Sequence, residues 1–246
     1  MMHDRHLVCF SGAGLSADSG LSTFRGGDGL WENHRIEDVC DITTWKQNRE
    51  TVHRFYNDRR AALASVQPNP MHRLLVDWQS RYRTTLVTQN VDNLLEQAGA
   101  RDVLHVHGRL TEMECLACGH VWEIGTAAWN AASDRCPDCG SLKGVKPNVV
   151  FFHEQAPLYQ PMWKLFNGLK ADDVLVVIGT DGAVVPIGAV AAAVRCRKAL
   201  NNLEPVPLED WVPGMVAPAF FHHALFKPAA EAVDELDAIV RGWMEG

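Results

Sequence analysis

Four cysteines in the middle of the chain form two closely spaced pairs. Two residues separate Cys115 from Cys118 and Cys136 from Cys139, and 17 residues lie between the pairs. Each pair can direct two thiolates at one ion, and four sulfurs give Zn²⁺ the tetrahedral shell that it prefers. Because four protein ligands close that shell, we expect one structural zinc and not a catalytic one. Redox-active or free thiols are the alternative, which the paired spacing and a reducing compartment disfavour.

The chain has seven cysteines, so three lie outside these pairs. We expect a cytosolic chain, and an odd number of cysteines there argues against a disulfide framework. Cys9 falls in a predicted strand, and Cys40 and Cys196 show no partner spacing. We expect these three to be small buried hydrophobic residues.

A glycine-rich run follows the first predicted strand, His6 to Phe10. The residues Gly12-Ala13-Gly14-Leu15-Ser16-Ala17 fit the dinucleotide-binding fingerprint with alanine in its third position. Such glycines let the backbone approach a pyrophosphate, and the helix that follows adds partial positive charge. On this interpretation Ser16, Ser19 and Arg25 lie near the phosphates. A glycine-rich turn without a nucleotide is the alternative.

Polar residues follow two further predicted strands. Gln89, Asn90 and Asp92 come after Thr84 to Val87, and His107 comes after Val103 to Val106. Open α/β sheets bind ligands where parallel strands end. An Asx turn that caps the next helix would also explain the first group.

The elements that position these residues alternate between strand and helix. The pattern predicts an α/β fold: a Rossmann-like parallel sheet with helices on both faces, a small zinc module and a helical insert. We expect one discontinuous Rossmann-like lobe over about 1–33, 68–111 and 146–246, with the helical insert at about 34–67 and the zinc module at about 112–145. Further strands are predicted over Asn148 to Phe152, Asp173 to Ile178 and Ala199 to Asn202. Helices are predicted over Glu37 to Val66, Met71 to Ser80, the segment after Pro186, and Ala229 to Met244.

Composition excludes several classes of protein. The 246 residues are 47% hydrophobic and 22% charged, as in ordinary globular domains, and the net charge of −7 offers no basic patch for nucleic acid. The longest uncharged apolar stretch, Gly182 to Val194, has 13 residues and contains Pro186, whereas a membrane span needs about 20. The first ten residues lack a signal-peptide core. We therefore expect a cytoplasmic protein that binds neither membrane nor nucleic acid.

Several runs, in order along the chain, resemble the motifs of the sirtuin family of NAD-dependent protein deacylases. They are GAGLSADSGLSTFRG from Gly12 to Gly26, TQNVDNL from Thr88 to Leu94, His107-Gly108, the four cysteines, KPNVVFFHE from Lys146 to Glu154, Gly179-Thr180, and Asn202-Leu203-Glu204-Pro205. The likeness covers about His6 to Met244.

The resemblance implies that NAD is a co-substrate, that nicotinamide is released and that the acyl group moves to ADP-ribose. His107 would be the general base, and a histidine suits that role because its pKa is close to cytosolic pH. Gln89, Asn90 and Asp92 would hold the nicotinamide ribose and carboxamide. The remaining cofactor-binding residues that the resemblance implies are Gly12, Ala13, Gly14, Ser16, Phe24, Arg25, Trp31, Gly179, Thr180, Asp181, Asn202, Leu203, Glu204 and Ala229.

His105 lies two residues before His107 on the same predicted strand. Both side chains are therefore expected to point the same way. The resemblance selects His107 as the base, because the family's catalytic histidine directly precedes a glycine. His105 is expected to pack or to orient its neighbour.

Val150 and Phe152 match the family's strand that pairs with the substrate backbone and walls the acyl-lysine tunnel. Such pairing gives affinity with little demand on the peptide sequence. Core packing is the plainer interpretation of two apolar residues, and both roles can coexist.

Tyr56 and Arg59 resemble the pair that binds the carboxylate of succinyl- or malonyl-lysine in class III sirtuins. They are three residues apart on a predicted helix and so share a face. Arginine can donate two hydrogen bonds to a carboxylate, and the phenol can donate a third. A surface helix with salt bridges is the alternative, because Asp58 and Arg60 adjoin Arg59.

Three residues depart from the family pattern. Asp181 replaces the usual serine, and its charge would repel phosphates unless it turns to a ribose hydroxyl. His153 replaces a glycine and adds bulk beside the peptide-binding strand. Lys227 also replaces a glycine and would compensate Asp181 if the two side chains were close.

The leading hypothesis is an NAD-dependent protein-lysine deacylase with acyl-lysine proteins or peptides as partners and a preference for acidic acyl groups. The alternatives are an NAD glycohydrolase or ADP-ribosyltransferase, or a non-catalytic NAD-sensing module. Nicotinamide release without acyl peptide would favour the glycohydrolase. The sequence leaves the oligomeric state open, and a monomer is compatible with it.

Overall fold

The computed structural model describes residues 5–22, the backbone of 30–31, and 34–246. Its strands are β1 (His6–Ser11), β2 (Leu30–Trp31), β3 (His34–Arg35), β4 (Arg83–Thr88), β5 (Leu104–His105), β6 (Gly108–Cys115), β7 (Val121–Glu123), β8 (Val145–Val149), β9 (Val174–Ile178), β10 (Arg197–Asn202) and β11 (His223–Phe226). Its α-helices are α1 (Gly14–Ala17), α2 (Ile36–Val39), α3 (Arg49–Ala64), α4 (Pro70–Arg81), α5 (Leu94–Ala98), α6 (Tyr159–Asn167), α7 (Ile187–Ala193) and α8 (Val233–Glu245).

A six-stranded parallel sheet forms the centre of the protein, in the order β11-β10-β9-β1-β4-β5. In β1, Ser11 is level with Thr88 of β4 on one side and with Ile178 of β9 on the other. The loops that follow these three strands therefore meet at the carboxyl edge of the sheet. The strands predicted over His6 to Phe10, Thr84 to Val87 and Asp173 to Ile178 are confirmed as β1, β4 and β9.

Helices cover both faces of this sheet, as predicted. Alternate residues of β1 enter different cores, with Leu7 and Cys9 on one side and Val8 and Phe10 on the other. All five residues of β9 are buried, as expected for a strand covered on both faces. α4, α5 and α8 contribute to the first core, and α6 and α7 contribute to the second.

The predicted helix over 37–66 is wrong in its first half. The chain forms the short α2, a turn-rich segment and then α3. The break has a local cause, because the Asp41 carboxylate accepts hydrogen bonds from both the backbone N–H and the hydroxyl of Thr43. Such an Asx turn competes with the helical hydrogen-bond pattern.

A small antiparallel sheet, in the order β7-β6-β8, carries the first cysteine pair at its end. The strand predicted over 148–152 is observed three residues earlier, as β8. After Val149 the chain leaves this sheet, and the N–H of Phe152 donates to the Cys40 carbonyl at 2.9 Å. β6, β7, β11 and α6 were not predicted from the sequence.

In the part of the chain that the structure describes, no helix combines the length and the apolar character needed to span a bilayer.

Candidate functional site

Two loops at the carboxyl edge of the parallel sheet interlock backbone to backbone. The N–H of Gly12 donates to the Ile178 carbonyl, and the N–H of Gly14 donates to the Gly179 carbonyl, both at 2.9 Å. A Cβ on Gly14 would lie 2.6 Å from Gly179 Cα, and a Cβ on Gly179 would lie 2.4 Å from the Leu15 nitrogen. Ala13 sits between the two glycines at the start of this interlock. The glycines therefore allow close approach of the chain to itself as well as to a ligand.

α1 spans four residues, so its end contributes less partial charge than the helix expected here. Its Ser16 hydroxyl instead organises a polar cluster below the loops. Ser16 donates to the Asp92 carboxylate at 2.9 Å and accepts from the Asn90 amide at 3.1 Å. Burial raises the pKa of Asp92, although hydrogen bonds from the Leu94 N–H and Ser16 act in the opposite direction.

His72 completes this cluster and was not identified from the sequence. Its Nδ1 accepts from the N–H of Asn69 in a capping box at the start of α4. The remaining proton is therefore on Nε2, which lies 3.4 Å from the Ser16 hydroxyl. Burial lowers the pKa of His72 to about 4. The signal that could have found it is the Asn-Pro-Met-His sequence, which is typical of a capped helix start.

A second set of polar side chains joins the ends of β4, β9 and β10. The Gln89 amide donates to the Thr180 hydroxyl at 3.1 Å. The Asn202 amide group bonds twice to the backbone of Thr180, at 3.0 Å and 2.9 Å. The structure thus brings these predicted cofactor residues from three strands to one edge.

His107 follows β5 at the same edge and has two hydrogen-bond partners. Its Nδ1 lies 3.1 Å from the Gln89 carbonyl, and its Nε2 lies 2.8 Å from the Tyr159 hydroxyl. A carbonyl can only accept, so Nδ1 carries the proton and Nε2 holds the lone pair. Burial lowers the pKa of His107, and the Gln89 carbonyl opposes that shift. A neutral imidazole with a defined proton-accepting nitrogen is suited to general base catalysis.

The expectation that His105 and His107 point the same way is wrong. β5 ends at His105, and the chain turns before His107. His105 bonds to the Asn90 carbonyl and, at 2.8 Å, to Glu96 on α5, whereas His107 meets Tyr159 on α6. These two helices contribute to opposite cores, so strand alternation does not apply across the turn.

Tyr56 is fully buried on the inner side of α3. Its ring stacks on Phe151 at 5.8 Å, and its hydroxyl lies close to the Cys40 thiol. Burial raises its pKa well above the usual value. Arg59 is half-buried, and its guanidinium lies 4.2 Å from the centre of the Phe55 ring. The nearby positive charge of Arg59 opposes this rise in the pKa of Tyr56.

Val150 and Phe152 follow β8 beside His107. The N–H of Val150 donates to the His107 carbonyl, and the N–H of Phe151 donates to the Glu154 carboxylate, each at 2.9 Å. With the Cys40 contact of Phe152, three consecutive N–H groups already have partners. The Phe152 side chain is 38% exposed and so is accessible to a substrate.

His153 adopts the left-handed backbone conformation, with φ of 63°. Glycine adopts this conformation without steric cost, which explains why glycine would be expected at this position. The imidazole instead bonds to the buried Asp41 carboxylate at 2.9 Å and ties this turn to the segment after α2. Burial would raise the pKa of Asp41, but hydrogen bonds from Thr43 and His153 lower it overall.

Asp181 and Lys227 do not compensate each other as proposed from the sequence. The Asp181 carboxylate accepts from the Ala183 N–H at 2.9 Å and is exposed. Lys227 pairs with Glu235 at 2.6 Å, a partner on α8. The partner of the Asp181 carboxylate is therefore a backbone N–H of its own loop and not Lys227.

The remaining predicted cofactor residues lie in different environments. Leu203 and Glu204 are exposed just after β10, and Leu203 is 63% accessible. Ala229 is buried, and the next N–H donates to Asp18 at 2.8 Å. Phe24 and Arg25 lie outside the described residues, as does the side chain of Trp31.

The four paired cysteines converge as predicted. Cys115 lies 3.7 Å from Cys139 and Cys118 lies 3.7 Å from Cys136, sulfur to sulfur, and all four sulfurs lie within 4.8 Å of one another. A tetrahedron with Zn–S bonds of about 2.3 Å has edges of about 3.8 Å, so the donor set fits zinc. Cys9, Cys40 and Cys196 are buried, as expected.

Comparison with known proteins gives consistent matches. A model of the Sir2 family matches residues 12–186. An NAD-dependent protein deacylase of Helicobacter hepaticus is 39% identical over 94% of this chain and 95% of its own length. Proteins of the same name from Bdellovibrio bacteriovorus and Salmonella typhimurium are 40% and 35% identical, over 89% and 98% of this chain and 90% and 86% of their own lengths.

Solved structures agree with these sequence matches. A Sir2 homologue in complex with NAD has a TM-score of 0.81 and 30% identity, over 99% of this chain and 92% of that one. A mutant Sir2 homologue in complex with ADP-ribose has a TM-score of 0.83 at the same identity, over 99% and 95% of the two chains.

Proposed function

The chain belongs to the Sir2 family and is an NAD-dependent protein deacylase, and from that premise we propose that His107 is its general base. The observation that carries the assignment is the hydrogen bond from Nδ1 to the Gln89 carbonyl. That bond leaves Nε2 as the proton acceptor at the edge where the predicted cofactor residues meet. Bound NAD supplies the ribose that receives the acyl group as nicotinamide leaves.

The residues of this chain have separate roles in the proposal. The Gly12 to Gly14 loop and the Gly179-Thr180 loop hold the phosphates and adenosine ribose, together with Asn202. Gln89, Asn90 and Asp92 hold the nicotinamide ribose and carboxamide, and the Ser16 hydroxyl orients Asp92. His107 takes a proton from a ribose hydroxyl at Nε2. One zinc bound by the four cysteines has a structural role, because a shell of four sulfurs leaves no open position.

We place the acyl-lysine between the Rossmann-like lobe and the elements formed by the helical insert and the zinc module. The exposed side chain of Phe152 and the half-buried Val150 adjoin His107 there and support that location. Acylated proteins or peptides are the substrates.

We further propose that the enzyme prefers succinyl and malonyl groups over acetyl. Arg59 supports this, because its half-buried guanidinium lies on the ring face of Phe55, three residues after Tyr56 on the same helix, and an arginine can donate two hydrogen bonds to a carboxylate. Tyr56 contributes in a second way. Tyr56 is buried and stacked on Phe151, so it supports the side of the proposed acyl pocket next to Arg59. Its hydroxyl becomes available to an acyl group only if the contact with Cys40 opens.

Mass spectrometry of acetyl-, malonyl- and succinyl-lysine peptides incubated with and without NAD tests this function. We expect NAD-dependent loss of the acyl group, with one nicotinamide released for each lysine freed. Nicotinamide release without acyl peptide would instead indicate an NAD glycohydrolase.

The base assignment is tested by His107→Ala, which should reduce deacylation by at least about 100-fold, within the range that a positioned general base contributes. His223→Ala is the matched control, because His223 is exposed on the edge strand β11. Deacylation retained by His107→Ala would remove His107 from the mechanism.

A further inference from the structure

Tyr159 touches the proton-accepting nitrogen of His107. The two residues are 52 positions apart, and the phenol oxygen lies 2.8 Å from Nε2. Tyr159 is the first residue of α6, and Met162 and Phe166 of that helix are buried in the core below the sheet. Its ring packs edge-on against Trp163 at 6.4 Å. The phenol is therefore held by the fold and does not merely approach from a surface loop.

The direction of this hydrogen bond follows from the other side of the imidazole. Because Nδ1 donates to the Gln89 carbonyl, Nε2 can only accept while the ring is neutral. The Tyr159 hydroxyl is thus the donor. Burial raises the pKa of Tyr159, so the phenol keeps its proton at neutral pH.

A hydroxyl can also reverse this hydrogen bond. Once His107 is protonated, Nε2 carries hydrogen, and the phenol oxygen can rotate its own proton away and accept. A hydrogen bond from an imidazolium is charge-assisted and is stronger than one to a neutral ring. Tyr159 should therefore stabilise the protonated base more than the neutral one.

We propose that Tyr159 is a positioning residue for His107, which holds the imidazole at rest and accepts a hydrogen bond from Nε2 after the base has taken up a proton. The proposal rests on His107 being the general base. In the step itself, the Tyr159 hydroxyl first turns its proton away from the Nε2 lone pair; the ribose O–H bond then breaks and the Nε2–H bond forms, while Tyr159 keeps its own proton.

The other groups around His107 do not duplicate this role. The Gln89 carbonyl, at the end of β4, contacts the opposite nitrogen. On the preceding strand, His105 faces α5 and bonds to Glu96. Among the described residues, Gln89 and Tyr159 are the partners of the imidazole ring.

Tyr159→Phe tests the proposal, because it removes the hydroxyl and keeps the ring that packs on Trp163. NMR titration of the His107 imidazole in the NAD-free protein should show its pKa lowered by about half to one unit, the size expected for loss of one hydrogen bond. The kcat for deacylation should fall at least about threefold, while the Kd for NAD changes less than about twofold. The acid limb of the kcat/KM profile should move to lower pH in step with the NMR value.

Tyr82→Phe is the matched control, because it removes a phenol that donates to Glu245 far along the chain. Thermal unfolding of both variants checks that the fold is retained. A His107 titration identical in Tyr159→Phe and wild type overturns the proposal, as does an unchanged kcat. If the wild-type enzyme lacks deacylase activity, the proposed function fails, and the NMR titration still decides whether Tyr159 acts on His107.

Discussion

The sheet edge that we assign to NAD and the neighbouring region that we assign to acyl-lysine are held together by different groups. At the NAD edge, the Gly12 to Gly14 loop contacts Gly179 through backbone atoms, with no room for a side chain. In the acyl region, side chains make the contacts: Tyr56 stacks on Phe151, and His153 bonds to Asp41.

This difference indicates how each region can vary. A backbone interlock depends on glycine and on the strand register, so nearly any substitution disturbs it. Side-chain contacts can be exchanged one at a time, and His153 in place of glycine is an example because Asp41 supplies a new partner. We therefore expect the NAD edge to be intolerant of substitution and the acyl region to determine substrate preference.

Gly179→Ala should have the largest effect. The added Cβ would lie 2.4 Å from the Leu15 nitrogen, and φ at this position is 64°. The strain is about 2–4 kcal/mol, and separation of the two loops should weaken NAD binding by roughly 100-fold. Calorimetric titration with NAD measures the binding. Gly242→Ala on α8, where a Cβ meets nothing within 4 Å, is the control and should leave binding unchanged. Equal NAD affinity in the two variants would contradict the interlock.

Each region also contains a buried neutral histidine, which predicts a dependence of stability on pH. Burial lowers the pKa of His53 in α3 and of His72 in α4 to about 4, from an ordinary value of 6.5. Between those values the unfolded chain binds more protons, so the free energy of unfolding falls as pH falls from 6.5 towards 4. From pH 6.5 to 5 the loss is about 1.5–2 kcal/mol for each histidine.

Urea unfolding between pH 7 and 5 measures this slope. His53→Gln and His72→Gln should each flatten it by about one proton's contribution, or roughly 1.4 kcal/mol per pH unit. The exposed His223→Gln is the control and should leave the slope unchanged. If the slope in each of the two variants were as steep as in the wild type, other groups would be responsible for the pH dependence.

Arg59→Met should have the smallest and most selective effect. Loss of the guanidinium removes the bidentate pair of hydrogen bonds that we propose it donates to the acyl carboxylate. Desuccinylation should therefore fall about tenfold and deacetylation less than about twofold. Steady-state kinetics with matched peptides measures both. Arg54→Met, on the exposed side of the same helix, is the control. Equal losses on the two substrates would exclude an acidic acyl pocket around Arg59.

The sequence predicted the elements of the NAD edge better than those of the acyl region. β1 and β9 are short apolar runs, and β4 is rich in β-branched residues. Each is followed by glycine or polar residues, so local composition suffices to identify these strands. The acyl region depends on long-range pairing instead. β8 ends early because Phe152 pairs with Cys40, a contact across more than one hundred residues that no local pattern reports.

α6 was missed for a related reason. It has no side-chain cap, and Pro161 lies within its first turn, where a missing N–H costs nothing but the sequence resembles a loop. Tyr159 was missed with it. The helix forms because Met162 and Phe166 are buried against the sheet, which is a property of the tertiary structure.

The sequence by itself determined the two cysteine pairs, the buried strands of the parallel sheet and the polar residues that end them. These features depend on spacing and on runs of residue type, which act over a few positions. Only the tertiary structure decided that His107 meets Tyr159 and that His153 meets Asp41, because the residues of each pair lie on separate elements, 52 and 112 positions apart. Which side chains meet across such distances depends on strand register, on where each strand ends and on how the helices pack.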